Sequence, residues 1–80
     1  MDDGSILDRI GRLADEERAL EEAHVGEALP KGELDRLRRI EVELDQCWDL
    51  LRQRRARREA GQDTEDAALR PEGVVERYQQ

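Results

Sequence analysis

The feature that most constrains this chain is residues 34–58, a long segment that contains neither Gly nor Pro. Its apolar residues are spaced three, four, three and four positions apart, at Leu37, Ile40, Leu44, Cys47 and Leu51. Because an α-helix repeats about every 3.6 residues, this spacing aligns those side chains along one side of a helix. The segment is therefore predicted to be a helix that packs along a seam against a second helix.

A shorter amphipathic segment precedes it. Apolar residues at helical spacing predict helix 1 over about residues 6–25, and the seam helix, helix 2, is expected over about residues 31–60. Ser5 can cap the start of helix 1, and Gly26 can follow its end. Pro30 suits the first turn of helix 2, and Gly61 suits its stop. Residues 1–61 are therefore expected to form an antiparallel, coiled-coil-like helical hairpin in an all-α fold.

Residues 62–80 are expected to be a polar linker followed by a short C-terminal helix or an extended tail. Pro71 ends any helix that begins in the linker. Val74, Val75 and Tyr78 are the apolar residues after Leu69. They could dock on helix 2, stay disordered, or be a short motif that a partner protein binds. We favour docking or disorder over the motif.

The apolar content is small for a monomer of this size. Charged residues make up 44% of the chain and apolar residues 36%, with no Phe. Helix 2 nevertheless carries Cys47, Trp48, Leu50 and Leu51, which spread wider around the helix than one partner helix covers. A second neighbour is therefore expected, either the C-terminal tail or a second protomer. We predict a homodimer in which two hairpins form a four-helix bundle.

The hairpin predicts particular neighbours across the seam. Gly11 is expected opposite Trp48, where it either lets the indole pack against bare backbone, which we favour, or forms a ligand-binding notch. Glu17 lies within the apolar stripe of helix 1, and two interpretations remain: it pairs with Arg38 or Arg39, or the stripe rotates past it.

An arginine cluster marks the end of helix 2. Because helix 2 is predicted to be roughly 15 Å longer than helix 1 at about 1.5 Å per residue, residues 54–58 are expected beyond the end of helix 1, with few partners from it. Three interpretations remain: a solvated or internally paired face, a surface for an acidic protein, and a nucleic-acid contact. The net charge of −7 makes nucleic acid the least favoured. The candidate interaction residues are Trp48, Arg54, Arg55, Arg57, Arg58, Val74, Val75 and Tyr78.

The sequence offers little for catalysis. It has no glycine-rich phosphate loop, and Cys47 lies far along the chain from His24, the single imidazole. We therefore expect a protein that is not an enzyme and has no metal or cofactor. No apolar run approaches the roughly 18 residues of a membrane span, and Met1-Asp2-Asp3 does not start a secretory signal. With a single cysteine, the chain suits a reducing cytoplasm.

Three stretches resemble a known family: DDGSILDRI, IEVELDQCWDLLRQRRARREAG and RPEGVVERY. They are similar to short bacterial proteins catalogued as domain of unknown function 2630, most specifically over Val42–Arg58. The resemblance implies a helical, cytoplasmic bacterial protein and brings no catalytic residue, cofactor or partner. The predicted function is a small non-enzymatic interaction or structural module that acts through the end of helix 2 and the tail. The alternative is a nucleic-acid-associated regulator that uses residues 52–58.

Overall fold

Two α-helices dominate the part of the chain that the structure describes, residues 2–73 of a computed structural model. Helix α1 spans Asp3–Ala23 and helix α2 spans Lys31–Glu59, and a short 3-10 helix follows at Thr64–Asp66. Residues 2–73 contain no β-strand. The predicted all-α helical hairpin is confirmed. The tail residues Val74, Val75 and Tyr78 lie outside the described residues.

Local signals explain where the helices begin and end. The Asp2 side chain caps α1 by accepting a hydrogen bond from the Ser5 N–H at 2.8 Å, so the helix begins three residues before its predicted start. After α1, the chain reverses with Gly26 at φ +80°, a left-handed conformation that glycine adopts without steric cost. Helix α2 then starts directly after Pro30, whose fixed φ suits a helix start.

The core is a single apolar seam between the two helices. Its buried side chains come from one stripe of each helix, and Ile6 and Ile40 are fully buried. Four further residues pack against the seam from its edges: Leu20, Leu44, Leu51 and Ala67. The buried members are Ile6, Ile10, Leu13, Ile40, Cys47 and Leu50. Cys47 is thus a small core residue, as its position on the apolar stripe predicts.

Ion pairs between the helices accompany the seam. The Arg36 guanidinium donates two hydrogen bonds of 2.7 Å to the Glu16 carboxylate, and Arg9 donates to Glu43 at 3.1 Å. In the middle of α1, the carboxylate that pairs with α2 is therefore Glu16 rather than Glu17, and its partner is Arg36 rather than Arg38 or Arg39. Exposed ion pairs contribute little stability, about 0–1 kcal/mol each. These pairs therefore indicate which residues of the two helices lie side by side, but they contribute little to the stability of the hairpin.

The expected contact between Gly11 and Trp48 is wrong. Among residues 2–73, no neighbouring group lies within 4 Å of the position that a Cβ at Gly11 would occupy. Trp48 is 45% exposed. The reason is that consecutive residues of a helix point about 100° apart, so burying Cys47 in the seam turns Trp48 away from it.

The two glycine environments predict substitutions of opposite sign. Gly11 lies inside α1 with open space around it, so Gly11→Ala should raise the free energy of unfolding by about 0.5–1 kcal/mol. Gly61 also has open space around it, but its φ of +73° is unfavourable for a residue with a Cβ. Gly61→Ala should therefore lower the free energy of unfolding by about 1–2 kcal/mol. Urea unfolding of both variants and the wild type measures this. Two changes of the same sign would contradict the assignment.

Candidate functional site

A third layer, the docked segment of residues 62–70, folds back along α2. The chain reverses after α2 at Gly61, where the Gln62 N–H donates to the Arg57 carbonyl at 2.7 Å. Asp63 then caps the 3-10 helix by accepting from the Glu65 N–H at 2.9 Å. Ala67 packs against the edge of the core. The polar linker predicted from residue 62 thus lies along α2 over residues 62–70.

A buried ion pair attaches the docked segment to α2. The Asp49 side chain is fully buried, and the Arg70 guanidinium donates to both of its oxygens, from Nε to Oδ2 at 2.9 Å and from Nη2 to Oδ1. Gln53 donates from its amide nitrogen to Asp49 Oδ2 at 2.9 Å and to the Ala68 carbonyl at 2.7 Å. Gln46 donates to the Arg70 carbonyl at 3.2 Å. Three polar side chains of α2 thus bind both the side chain and the backbone of the segment.

The charge on Asp49 depends on these partners. Its hydrogen bonds with the Arg70 guanidinium, and to a lesser extent with Gln53, hold the pKa of the Asp49 carboxyl below its ordinary value of 3.8, although burial opposes this. A buried carboxylate without such partners would instead have a raised pKa. The docked segment therefore supplies the cation that favours the ionised form of Asp49.

A second cluster joins the beginning of α1 to the end of α2. The buried Arg54 guanidinium donates from Nε to Asp3 Oδ1 at 2.5 Å and from Nη1 to the Thr64 carbonyl at 3.2 Å. Arg58 donates to the other Asp3 oxygen at 2.9 Å. The Arg54 hydrogen bond is the main reason why the pKa of the Asp3 carboxyl is lowered. The Asp3 carboxylate therefore connects the start of α1 to the end of α2. Arg54 also connects this cluster to the docked segment.

This cluster corrects the expected overhang of residues 54–58. Arg54 and Arg58 are not beyond the reach of helix 1, because α1 begins at Asp3 and its first residue lies beside them. Arg55 pairs with Glu59 on the same helix, with its Nε 3.1 Å from Glu59 Oε1. Arg57 is half-buried. The predicted arginine surface is therefore divided between internal ion pairs and solvent.

Trp48 lies on a different side of α2 from the docked segment. The residues that bind the segment, Gln46, Asp49 and Gln53, lie about 100–160° around the helix axis from Trp48. Trp48 is adjacent in sequence to Asp49, yet its indole remains 45% exposed. In residues 2–73, the docked segment thus covers the polar side of α2 and leaves the aromatic side uncovered.

Leu7 of α1 lies on the same side of the hairpin as Trp48. The Arg9–Glu43 and Asp3–Arg54 pairs place residue 7 level with Trp48 along the hairpin. Leu7 is about 160° around α1 from Arg9, and Trp48 is about 140° around α2 from Glu43, so both lie opposite the Arg9–Glu43 pair. Leu7 is 51% exposed.

The surface around these two side chains is named the open face. Residues three, four and seven positions from Trp48 share its side of α2. Leu44 and Leu51 are half-buried at the edge of the core, whereas Glu41 and Arg55 are exposed. The open face consists of Leu7, Glu41, Leu44, Asp45, Trp48, Leu51, Arg52 and Arg55.

The described residues offer no convergent set of reactive groups. Burial raises the pKa of the Cys47 thiol, which disfavours the nucleophilic thiolate. Residues 2–73 contain no group of three or more His, Cys, Asp or Glu side chains placed to hold a metal ion. A groove along α1 is open to solvent and lacks the enclosure that small-molecule sites use. Neither α1 nor α2 has an apolar stretch long enough to cross a bilayer.

Comparison with known proteins identifies the chain's relatives. The model of the family described as "Protein of unknown function (DUF2630)" matches residues 2–80. The chain belongs to this family. Uncharacterized proteins of Mycobacterium bovis and of two Mycobacterium tuberculosis strains are each 49% identical to this DUF2630 member over 77 residues, covering 95% of this chain and 88% of each relative. No solved structure matches it significantly. The family resemblance of the three sequence stretches is confirmed.

The Asp49–Arg70 pair was not among the residues that the sequence singled out. One signal could have found it: Asp49 interrupts the most apolar stretch of α2, between Trp48 and Leu50. A charged residue at such a position is buried only with a partner. The sequence does not indicate which of the many arginines that partner is.

The Asp49–Arg70 pair predicts an asymmetric thermodynamic cycle. Arg70→Met should destabilise more than Asp49→Asn, because it leaves a fully buried carboxylate, whereas the Arg70 guanidinium is partly exposed and can reach water. The coupling energy between the two changes should be about 1–3 kcal/mol. Urea unfolding of both single variants and the double variant measures it. Strictly additive effects would show that the pair is not energetically coupled.

The lowered pKa of Asp49 also predicts the pH dependence of stability. A carboxyl group whose pKa is lower in the folded state stabilises the fold above its unfolded pKa, and this stabilisation is lost as the pH falls through the folded pKa. The urea midpoint should therefore be level between about pH 5 and pH 7 and fall below about pH 4. In Asp49→Asn, the urea midpoint should decrease less as the pH falls. Part of the decrease should remain, because the pKa values of Asp3 and Glu16 are also lowered. An unchanged acid profile in Asp49→Asn would argue against an ionised Asp49.

Proposed function

We propose that this protein is a small, non-enzymatic protein–protein interaction module of the cytoplasm and that the open face is its binding surface. The observation that carries the proposal is the 45% exposed side chain of Trp48, the single Trp of the chain. Trp is one of the residue types enriched among the energetically dominant positions of protein interfaces. Half-buried Leu44 and Leu51 beside it extend the apolar surface that a partner could cover.

The docked segment supports this assignment by fixing α2 from the other side. Asp49, Gln53 and Gln46 hold the segment through side-chain hydrogen bonds, and Arg54 ties the end of α2 to Asp3. A helix held on two sides keeps its third side in one conformation. Such a preorganised surface loses less conformational entropy when a partner binds.

The arginine end of α2 has less support as the working surface. Arg54 and Arg58 hydrogen-bond to Asp3, so the positive charge of these two residues is already compensated. The net charge of −7 also disfavours a nucleic-acid contact through residues 52–58. Binding through Val74, Val75 and Tyr78 stays a prediction of the sequence.

Affinity capture from native lysate tests the proposal with a matched pair of variants. Trp48→Ser removes the aromatic centre of the open face. Leu69→Ser removes a similarly exposed apolar side chain, 56% exposed, from the docked segment on another side of α2. We expect a protein, which can be the untagged chain itself, to be retained by the wild type and Leu69→Ser and lost by more than about tenfold with Trp48→Ser.

The measurement is quantitative mass spectrometry of the eluates, with ultraviolet absorbance for nucleic acid. Empty eluates, or proteins captured equally by all three baits, would overturn the proposed function. Nucleic acid in the wild-type eluate that is lost on replacing Arg55 and Arg57 by Ser, with no protein dependent on Trp48, would favour the regulator instead. Circular dichroism of each bait controls for folding.

A further inference from the structure

The open face carries opposite charges on the two sides of Trp48. Glu41 lies seven residues before Trp48 and Arg55 lies seven residues after it, and all three side chains are exposed. Two turns of helix take about seven residues, so the three form one line along α2. The line is acidic at its N-terminal end, aromatic at its centre and basic at its C-terminal end.

We propose that the open face binds a second copy of this chain, with the two α2 helices antiparallel across a twofold axis at Trp48. This inference rests on the proposed function and names its partner. In an antiparallel pair centred on Trp48, each position before the centre faces the position equally far after it. Glu41 therefore faces the partner's Arg55, and the symmetry makes this contact twice.

The same symmetry matches the apolar residues beside the line. Leu44 lies four residues before Trp48 and Leu51 three residues after it. Their distances from the twofold axis differ by only one residue, about 1.5 Å along the helix, so each lies beside the other's copy. The two Trp48 side chains meet at the centre, and Leu7 of α1 lies level with them. Paired indoles with flanking leucines would form an apolar interface core bounded by opposite charges, the arrangement typical of stable interfaces.

A parallel pair of α2 helices would not have this complementarity. It would place Glu41 against its own copy and Arg55 against its own copy, which is unfavourable at both ends. The antiparallel arrangement also points the two hairpin connections in opposite directions. At about 1.5 Å per residue, the start of each α2 lies about 25 Å from Trp48, so the two connections would be roughly 50 Å apart.

Charge reversal combined with sedimentation equilibrium tests the arrangement. Glu41→Arg and Arg55→Glu each place like charges together at both ends of the interface, so each should raise the dimer dissociation constant at least about tenfold. The double variant exchanges the two charges and should return within about threefold of the wild type. Arg39→Glu, exposed on the opposite side of α2, makes the same charge change away from the interface and should have little effect.

Fluorescence of the single Trp gives an independent measurement. Dilution of the wild type through the dissociation constant should shift its emission to longer wavelength as the dimer releases Trp48 into water. Trp48→Ala should abolish the dimer, and circular dichroism should show that its helices remain. If the charge-swapped double variant unfolds, the arrangement is still tested by the other variants. Trp48→Ala and the two single reversals are then each compared with Arg39→Glu.

Three results would overturn the inference. One is a wild type that stays monomeric at hundreds of micromolar. Another is a dimer that Arg55→Glu and Arg39→Glu weaken equally. The third is a monomer with short-wavelength emission at every concentration, which would mean that another part of the same chain covers the open face. A monomeric wild type that still captures a different protein through Trp48 would refute self-association while leaving the proposed function intact.

Discussion

The fold depends on the requirement that a buried carboxylate has a cationic partner. Asp49 is fully removed from solvent, and an unpaired ion in a low-dielectric interior costs several kcal/mol. Arg70, 21 residues further along the chain, supplies the partner. Because Arg70 can reach Asp49 only when residues 62–70 lie along α2, this electrostatic requirement acts together with the hydrogen bonds of Gln53 and Arg54 to hold the segment in place.

Three consecutive residues divide α2 into three sides. Cys47 points into the seam with α1, Trp48 points to the open face, and Asp49 points to the docked segment, with about 100° between successive side chains. Each side uses a different kind of interaction: apolar burial, an exposed aromatic and a buried ion pair. Within residues 2–73, one helix thus contributes one side to the core, one side to the contact with the docked segment and one side that is exposed to solvent.

The sequence predicted the helices, whose apolar spacing is periodic, and missed the ion pairs between residues that are far apart along the chain. The three-four spacing of Leu37, Ile40 and Leu44 is sufficient to place a helix and its buried stripe, because helical periodicity is local. The Asp49–Arg70 and Asp3–Arg54 pairs join residues far apart in sequence, and a chain with thirteen arginines offers many equivalent partners. The sequence also named Trp48 as a candidate interaction residue, which stays a prediction, but the contact expected between Trp48 and Gly11 is wrong because the neighbouring Cys47 occupies the seam.

The contact between Asp3 and Arg54 spans 51 residues, whereas the Glu16–Arg36 pair nearer the hairpin connection spans only 20. Closing a longer loop costs more chain entropy, so contacts near the connection can form early and contacts at the open end must wait. During synthesis, the first turn of α1 leaves the ribosome long before the arginine that binds it exists. We therefore expect the hairpin to close like a zipper from its connection, with the N-terminal turn ordered last, and pulse-labelled amide exchange in which that turn is protected first would refute this order.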